Sequence, residues 1–335
     1  MSFNGVKVAV IGCGVWGKNL VRNFYNLEAL YSVCDMDSDT LCSISSQYNG
    51  IKCLCDFNEI IATEEVRGVV IATPSHTHYG LVKKALLAGK NVYVEKPLAT
   101  SSEEARELNE IADEKGLVLM VGHLLLYHPA VTRLKSLIKD GMLGDVRYVQ
   151  SDRLNTNFFR NDRSVLWDLA PHDLSMAAYV IGKKPLGVKS AVGCSVNNDG
   201  IVDITHIDVN FEDNVLVHLS DSWIHPNKRV MLMVRGTVAT AVLDDTAPKD
   251  KLIVYNNHSP EKRIVDSPDY IEIEPLKLEC QHFLSSIENK IKPRSDGLNG
   301  YEVVKVLEEA EKIMLGNNYS RVADIKLVSS RTKKD

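Results

Sequence analysis

Six residues near the start of the chain constrain its fold most. Gly12-Cys13-Gly14-Val15-Trp16-Gly17 follows directly on the β-branched run at residues 6–11 and opens a helical pattern over residues 19–27. Glycines spaced this way at a strand-to-helix turn have separate duties. The first makes the tight turn, the second lets backbone approach a pyrophosphate, and the third lets helix and strand pack closely. Amides at the helix start, with the positive end of its dipole, then face a phosphate. The motif alone is weak. It gains support from Asp35, which ends an apolar run at residues 31–34, eighteen residues beyond Gly17. A carboxylate there accepts hydrogen bonds from the ribose hydroxyls of an adenosine; a turn or cap residue is the alternative. Asp37 follows and no arginine sits beside the pair. Two acids without a base repel a 2′-phosphate, which predicts NAD rather than NADP.

The stretch that follows keeps the same rhythm. Short apolar runs at residues 51–54, 69–72, 92–94 and 117–121 alternate with helical patterns at 41–48, 57–62, 78–88 and 102–114. Strand and helix alternating in this way predict a doubly wound parallel sheet of the Rossmann type. The pattern then changes. After helices at 129–139 and 173–181, residues 188–254 alternate apolar and polar, as in Ile207-Asp208-Val209-Asn210-Phe211. That period suits antiparallel strands with one buried face. Helices near 277–287 and 301–314 close the chain. The expected fold is α/β: a Rossmann domain over residues 1–122, then an α+β domain with a mainly antiparallel open sheet over 123–335. No Pro/Gly/Ser-rich linker separates them.

Composition excludes several function classes. The 335 residues carry a formal net charge of −5, with 44% hydrophobic and 25% charged residues, ordinary values for a globular protein. No basic run marks a nucleic-acid binder, the short cluster Arg331, Lys333, Lys334 being read as a solvated tail. No apolar run approaches the ~18 residues of a membrane span, and no signal-peptide pattern is visible, so a cytoplasmic location is expected. The seven cysteines lack the CxxC spacing of a redox or zinc pair and are read as reduced thiols. Five histidines, His76, His78, His123, His128 and His172, have no acidic or cysteine companions at ligand spacing, so no metal is expected.

Three further segments carry a resemblance. Thr73-Pro74-Ser75-His76-Thr77-His78 looks like the TPxxxH turn of the Gfo/Idh/MocA oxidoreductases. Glu95-Lys96-Pro97 resembles that family's EKP motif, and Asp168-Leu169-Ala170-Pro171-His172 its DxxxH segment. With the glycine loop these span nearly the whole chain, in the family's order. The resemblance implies a Rossmann domain joined to an antiparallel-sheet domain, and homodimers or homotetramers formed through that sheet. Within the family, the stretches Gly122-His123-Leu124-Leu125-Leu126-Tyr127-His128-Pro129-Ala130 and Arg153-Leu154-Asn155 look most like nucleotide-sugar 3-dehydrogenases of amino-sugar and surface-glycan synthesis, lipopolysaccharide included.

Residue roles follow from chemistry and resemblance together. Lys96 follows a strand on the ligand-binding edge of such a sheet. By position alone it is a surface lysine before a structural proline; the resemblance makes it the cation that stabilises charge on the reacting oxygen. His172 is the candidate general base, a satisfied core histidine being the alternative; Asp168, four residues earlier and on the same face if both lie on one helix, joins Lys96 in the proton network or orients the substrate, a helix cap being its alternative. Pro171 places the start of that helix near itself. Asp173 is an alternative partner for the His172 ring. The resemblance brings Glu95 to the nicotinamide ribose; Thr73 and Pro74 shape the cofactor wall, and His78 starts a helix near the cofactor loop. Gly12, Gly14, Val15, Trp16 and Gly17 form that loop, Trp16 reading equally as a core aromatic. For a sugar diphosphate, Arg153, Arg160 and Arg163 are the candidate cations, with Tyr127 and Asn155 for sugar hydroxyls. The expected activity is NAD-dependent oxidation of a secondary hydroxyl, at C3, of a sugar nucleotide such as UDP-GlcNAc or its uronic acid. Alternatives are an inositol or free-sugar dehydrogenase, an NAD-dependent glycosidase, and a non-catalytic NAD-binding regulator.

Overall fold

A computed structural model describes residues 5–156, 164–196, 201–259, 261, 263–266 and 270–316. The chain forms two compact units that are not consecutive stretches. One comprises Met1–Met142, Ala178–Gly182 and Pro268–Lys305, the other Leu143–Ala177, Lys183–Ser267 and Val306–Asp335. The sequence boundary near residue 122 therefore misses the return of a C-terminal stretch to the first unit.

In the first unit the order is β1 (Lys7–Ile11), α1 (Gly17–Asn26), β2 (Leu30–Cys34), α2 (Ser38–Gln47), β3 (Lys52–Leu54), α3 (Phe57–Ala62), β4 (Val66–Ile71), α4 (His78–Leu87), β5 (Asn91–Glu95), α5 (Ser102–Lys115), β6 (Leu119–Gly122) and α6 (Pro129–Lys139). The six strands pair in parallel in the order β3-β2-β1-β4-β5-β6. The order in which strands are added reverses between β1 and β4, the switch point beside which such sheets bind ligands. Central strands are covered on both faces: Val8, Ala9, Val10, Val69 and Val70 are fully buried, which is why they read as unbroken apolar runs. β4 starts three residues before the run at 69–72 because Arg67 and Gly68 hide its beginning. A side chain at Gly68 would press on Ile287 Cδ1 at 2.9 Å.

In the second unit, β7 (Val146–Leu154) is followed by α7 (Val165–Ile181, of which the residues to Ala177 belong to this unit), β8 (Pro185–Cys194), β9 (Ile204–Phe211), β10 (Val215–Ser222), β11 (Arg229–Gly236), β12 (Ala239–Asp244), β13 (Leu252–Asn256) and β14 (Arg263–Asp266). These strands form one sheet in the order β14-β13-β12-β11-β7-β10-β9-β8, antiparallel except for the β7–β10 pair. Burial alternates along β9 and β10 as the sequence pattern requires. β8 is an edge strand and begins with Pro185, where a missing backbone donor costs no ladder bond.

Helix α7 corrects the sequence expectation. It begins at Val165, and Pro171 lies inside it. The Pro171 signal belongs to an interior proline that leaves the carbonyl one turn back without its usual donor. Asp168 and His172 are consequently one turn apart on a continuous helix, closer in relation than the sequence implied.

The last helices are α8 (Pro275–Asn289) and α9 (Gly297–Leu315). α8 packs in the first unit. Phe283 meets Phe24 of α1 edge-to-face at 6.4 Å and Tyr93 of β5 at 5.9 Å, and it is fully buried. Burial of one such side chain stabilises by about 1.5–3 kcal/mol. Among the described residues no helix is long and apolar enough to cross a membrane, and no cluster of three or more His, Cys, Asp or Glu is placed to hold a metal.

Candidate active site

The cofactor groups gather at the carboxyl ends of β1, β2, β4 and β5. Gly12 has φ +83°, and a Cβ there would lie 2.8 Å from Thr73 Cγ2 and 2.9 Å from the Ala72 backbone. A Cβ at Gly17 would overlap the Gly12 carbonyl oxygen, while the space beside Gly14 is open. The loop is thus closed toward the protein and bare on its outer side, the form a pyrophosphate needs. Val15 is 93% exposed and Trp16 40% exposed, so Trp16 is not a core aromatic.

Asp35 holds the back of this loop. Its Oδ2 accepts from Cys13 N–H at 2.6 Å and its Oδ1 from Asp37 N–H at 2.9 Å. Each oxygen keeps a further lone pair for a ribose hydroxyl. Asp37 has a different duty: it caps α2, accepting from the amides of Asp39 and Thr40 and from Thr40 Oγ1. The buried Cys13 thiol is pushed up to about 12, first by burial and then by the Asp35 charge, so it stays neutral in the loop.

Two neighbouring turns complete this part. Thr73 and Thr77 share a hydroxyl hydrogen bond of 2.6 Å. The His78 ring, 1% exposed, spans from the Pro97 carbonyl (Nδ1, 2.7 Å) to the Thr73 carbonyl (Nε2, 2.9 Å). His78 clamps the turn after β4 to the turn after β5 and presents no free edge to a ligand. Glu95 Oε1 accepts from the Trp16 indole at 2.6 Å and from the Tyr93 hydroxyl at 3.0 Å. Burial raises the Glu95 carboxyl, opposed by those two hydrogen bonds and by the Lys96 charge. The Lys96 turn is therefore bonded both to the glycine loop and to the TPxxxH turn. Half-buried Lys96 follows Glu95 at the end of β5.

Asp168 and His172 lie in the second unit. Asp168 is 4% exposed, and its Oδ2 accepts from the Trp223 indole at 3.3 Å. Trp167, just before it, donates to Glu311 Oε1 at 3.0 Å. His172 is half-buried on the same helical face as Asp168. Asp173 is not its ring partner: neighbours in a helix do not face each other, and Asp173 is taken by Arg153 and Ser151. Arg153 donates through Nε at 2.6 Å and Nη2 at 2.9 Å, and Ser151 Oγ at 2.7 Å.

That pairing corrects the reading of Arg153 as a phosphate ligand, because its bidentate edge is already used inside the unit. Tyr127 is likewise corrected. It is 1% exposed within the first unit's core, its hydroxyl beside Ser295 Oγ at 3.1 Å, so it does not reach a sugar. Asn155 is half-buried and pinned by backbone bonds to Ser222 and His225. Arg160 and Arg163 lie outside the described residues. Sequence reading gave no role to His123, whose ring meets Asn299 at 2.7 Å, a partner 176 residues away that no local pattern announces.

Residues 6–123 match the model of an oxidoreductase family with an NAD-binding Rossmann fold, and residues 131–242 match the GFO/IDH/MocA C-terminal domain. The UDP-N-acetylglucosamine 3-dehydrogenase of Acidithiobacillus ferrooxidans is 30% identical over 195 residues, 58% of this chain and 60% of that protein. The chain thus spans about three fifths of the length of curated relatives such as this one. The NAD-dependent scyllo-inositol 2-dehydrogenase of Bacillus subtilis is 26% identical over 299 residues, 85% of this chain and 86% of that one. The solved structure of the Acidithiobacillus enzyme superimposes with a TM-score of 0.82 at 24% identity, covering 92% of this chain and 97% of its own, a likeness of fold.

Proposed function

Because this chain belongs to the Gfo/Idh/MocA oxidoreductase family, we propose that it oxidises a secondary hydroxyl, at C3, of a sugar nucleotide such as UDP-GlcNAc or its uronic acid, with NAD. The observation that carries the reading is the Trp16–Glu95 hydrogen bond, which ties the pyrophosphate loop to the turn bearing Lys96. Gly12–Gly17 and Asp35 would hold the dinucleotide. Bound NAD supplies the hydride acceptor. The protein's own share is orientation and charge. Lys96 donates to the reacting oxygen and stabilises the charge that grows there. His172, one helical turn from Asp168, takes the hydroxyl proton as general base. Amino-sugar synthesis for surface glycans is the corresponding setting, with the protein acting in the cytoplasm as a homodimer or homotetramer.

The test is direct. Purified full-length protein with NAD and UDP-GlcNAc is expected to produce reduced nicotinamide absorbance, increased when an aminotransferase with an amino-acid donor converts the keto product to the amine. Free myo- or scyllo-inositol turning over faster than the sugar nucleotide moves the reading to an inositol dehydrogenase, which the Bacillus relative favours. Glycoside cleavage without net reduced cofactor moves it to a hydrolase.

Cofactor preference is a separate expected result. The Asp35 carboxylate, fixed by two amides, opposes a 2′-phosphate, so NAD is expected to bind at least about tenfold tighter than NADP by titration calorimetry, a difference of roughly 1.4 kcal/mol. Asp35→Ser is expected to narrow that ratio. Equal affinities in the parent protein sink the assignment.

A further inference from the structure

One buried hydroxyl beside the Lys96 turn has no part in the scheme above. Tyr93 and Glu95 stand two apart on β5, so their side chains leave the strand on the same face. Tyr93 is fully buried, its ring edge-to-face with that of Phe283 at 5.9 Å. A phenylalanine would serve that packing equally. A buried phenol needs a partner for its O–H, and Tyr93 donates to Glu95 Oε1 at 3.0 Å. Burial raises the phenol well above its ordinary range, so it keeps the proton it donates.

The neighbouring strand leaves room for this bond. Gly122 of β6 lies opposite Glu95. A Cβ on Gly122 would stand 2.8 Å from the Tyr93 hydroxyl and 2.9 Å from Glu95 Oε1, so a side chain there would push the pair apart. The Trp16 indole brings a second donor to the same oxygen at 2.6 Å. Two donors arriving from different elements fix the carboxylate plane and hold Oε1 as an acceptor. Oε2 accepts no hydrogen bond in good geometry among the described residues.

We propose that Tyr93 is a positioning residue for Glu95: together with the Trp16 indole it occupies Oε1, and so keeps Oε2 as the acceptor offered to a ribose hydroxyl of the bound dinucleotide. This use rests on the reading of the chain as an NAD-dependent dehydrogenase; the bond from Tyr93 to Glu95 does not.

Tyr93→Phe removes one oxygen and keeps the ring against Phe283. NAD binding to the full-length protein, followed by titration calorimetry, is compared among the parent, Tyr93→Phe, Glu95→Leu and the double variant. Tyr93→Phe is expected to weaken NAD about three- to tenfold, the scale of one hydrogen bond. Because Tyr93 acts through the carboxylate, the double variant is expected to bind NAD within about twofold of Glu95→Leu alone. Parental affinity in Tyr93→Phe, or full additivity in the double variant, overturns the proposal. A second readout needs no nucleotide. The Trp16 indole ¹H–¹⁵N resonance, assigned with Trp16→Phe, is expected to move in Tyr93→Phe, since the two donors share one oxygen; an unmoved resonance also overturns the proposal. If Glu95→Leu does not fold, the resonance and the affinity of Tyr93→Phe decide. Neither measurement contains a sugar, so a parent that binds NAD yet oxidises none sinks the dehydrogenase reading alone.

Discussion

Lys96→Ala is expected to lower kcat for alcohol oxidation about a hundred- to a thousandfold, the usual cost of removing one preorganised donor to a developing oxyanion. NAD affinity is expected to stay within about threefold, because that binding rests on groups the change leaves alone. The loop is shaped by Gly12 and Gly17, the ribose acceptor is held by Cys13 and Asp37, and the clamp is His78 on two carbonyls. Lys96→Arg retains the charge but replaces a point donor with a planar fork, so it is expected to recover only part of the loss. Steady-state kinetics combined with calorimetric titration of NAD checks all three. A Lys96→Ala protein with parental kcat removes Lys96 from the chemistry. One that loses kcat and NAD affinity together makes it a cofactor ligand instead.

How much of this was legible in the sequence depends on the range of the interaction concerned. The strand-to-helix rhythm of the first unit is local, and the expected runs fall on β1 to β6 with ends displaced by a few residues. β4 shows why they slip: Gly68 breaks the apolar run, yet it is demanded by Ile287 and Phe283, more than two hundred residues away. The glycine loop and Asp35 were readable because each residue's duty lies within its own turn. Pro171 misled because a proline signals a helix start far more often than a helix interior. Tyr127 and Arg153 misled for a common reason. A polar tip on an aromatic and a guanidinium near catalytic motifs both suggest ligands, but whether either is free depends on Ser295 and Asp173, partners the sequence does not place. His123 is tied to Asn299, a partner the sequence does not place. Local chemistry was legible, and the allocation of buried polar groups to one another was not.

That allocation gives the largest expected effect on stability. Arg153→Ala is expected to destabilise the protein by about 3–5 kcal/mol, the range for removing one partner of a buried ion pair. Arg153 and Asp173 have side chains 11% and 1% exposed, so solvent does little to screen the charge left behind. A third buried group increases the cost. Asp221 on β10 lies in register with Arg153 on β7 and with Thr205 on β9. It is fully buried, and neither of its oxygens has a hydrogen-bond partner in good geometry among the described residues. Burial first, then the nearby Asp173 charge, raises its carboxyl well above the ordinary range, with Arg153 opposing. The folded protein therefore holds a proton on Asp221 more tightly than the unfolded chain, whose carboxyl titrates near 3.9. Stability from this group is complete below about pH 4 and declines as pH rises through the raised folded value. Asp221→Asn keeps the shape, needs no proton and supplies an N–H for Asp173 or Thr205. It is expected to gain stability on the parent as pH rises from 4 to 7, flattening the pH profile. Urea unfolding followed by tryptophan fluorescence at several pH values reads both effects. Arg153→Lys, which keeps one donor of two, gives an intermediate loss if the alanine variant does not fold. A loss below about 1 kcal/mol for Arg153→Ala, the scale of an exposed pair, denies the cluster its buried ionic character, and an Asp221→Asn profile parallel to the parent denies the proton held there.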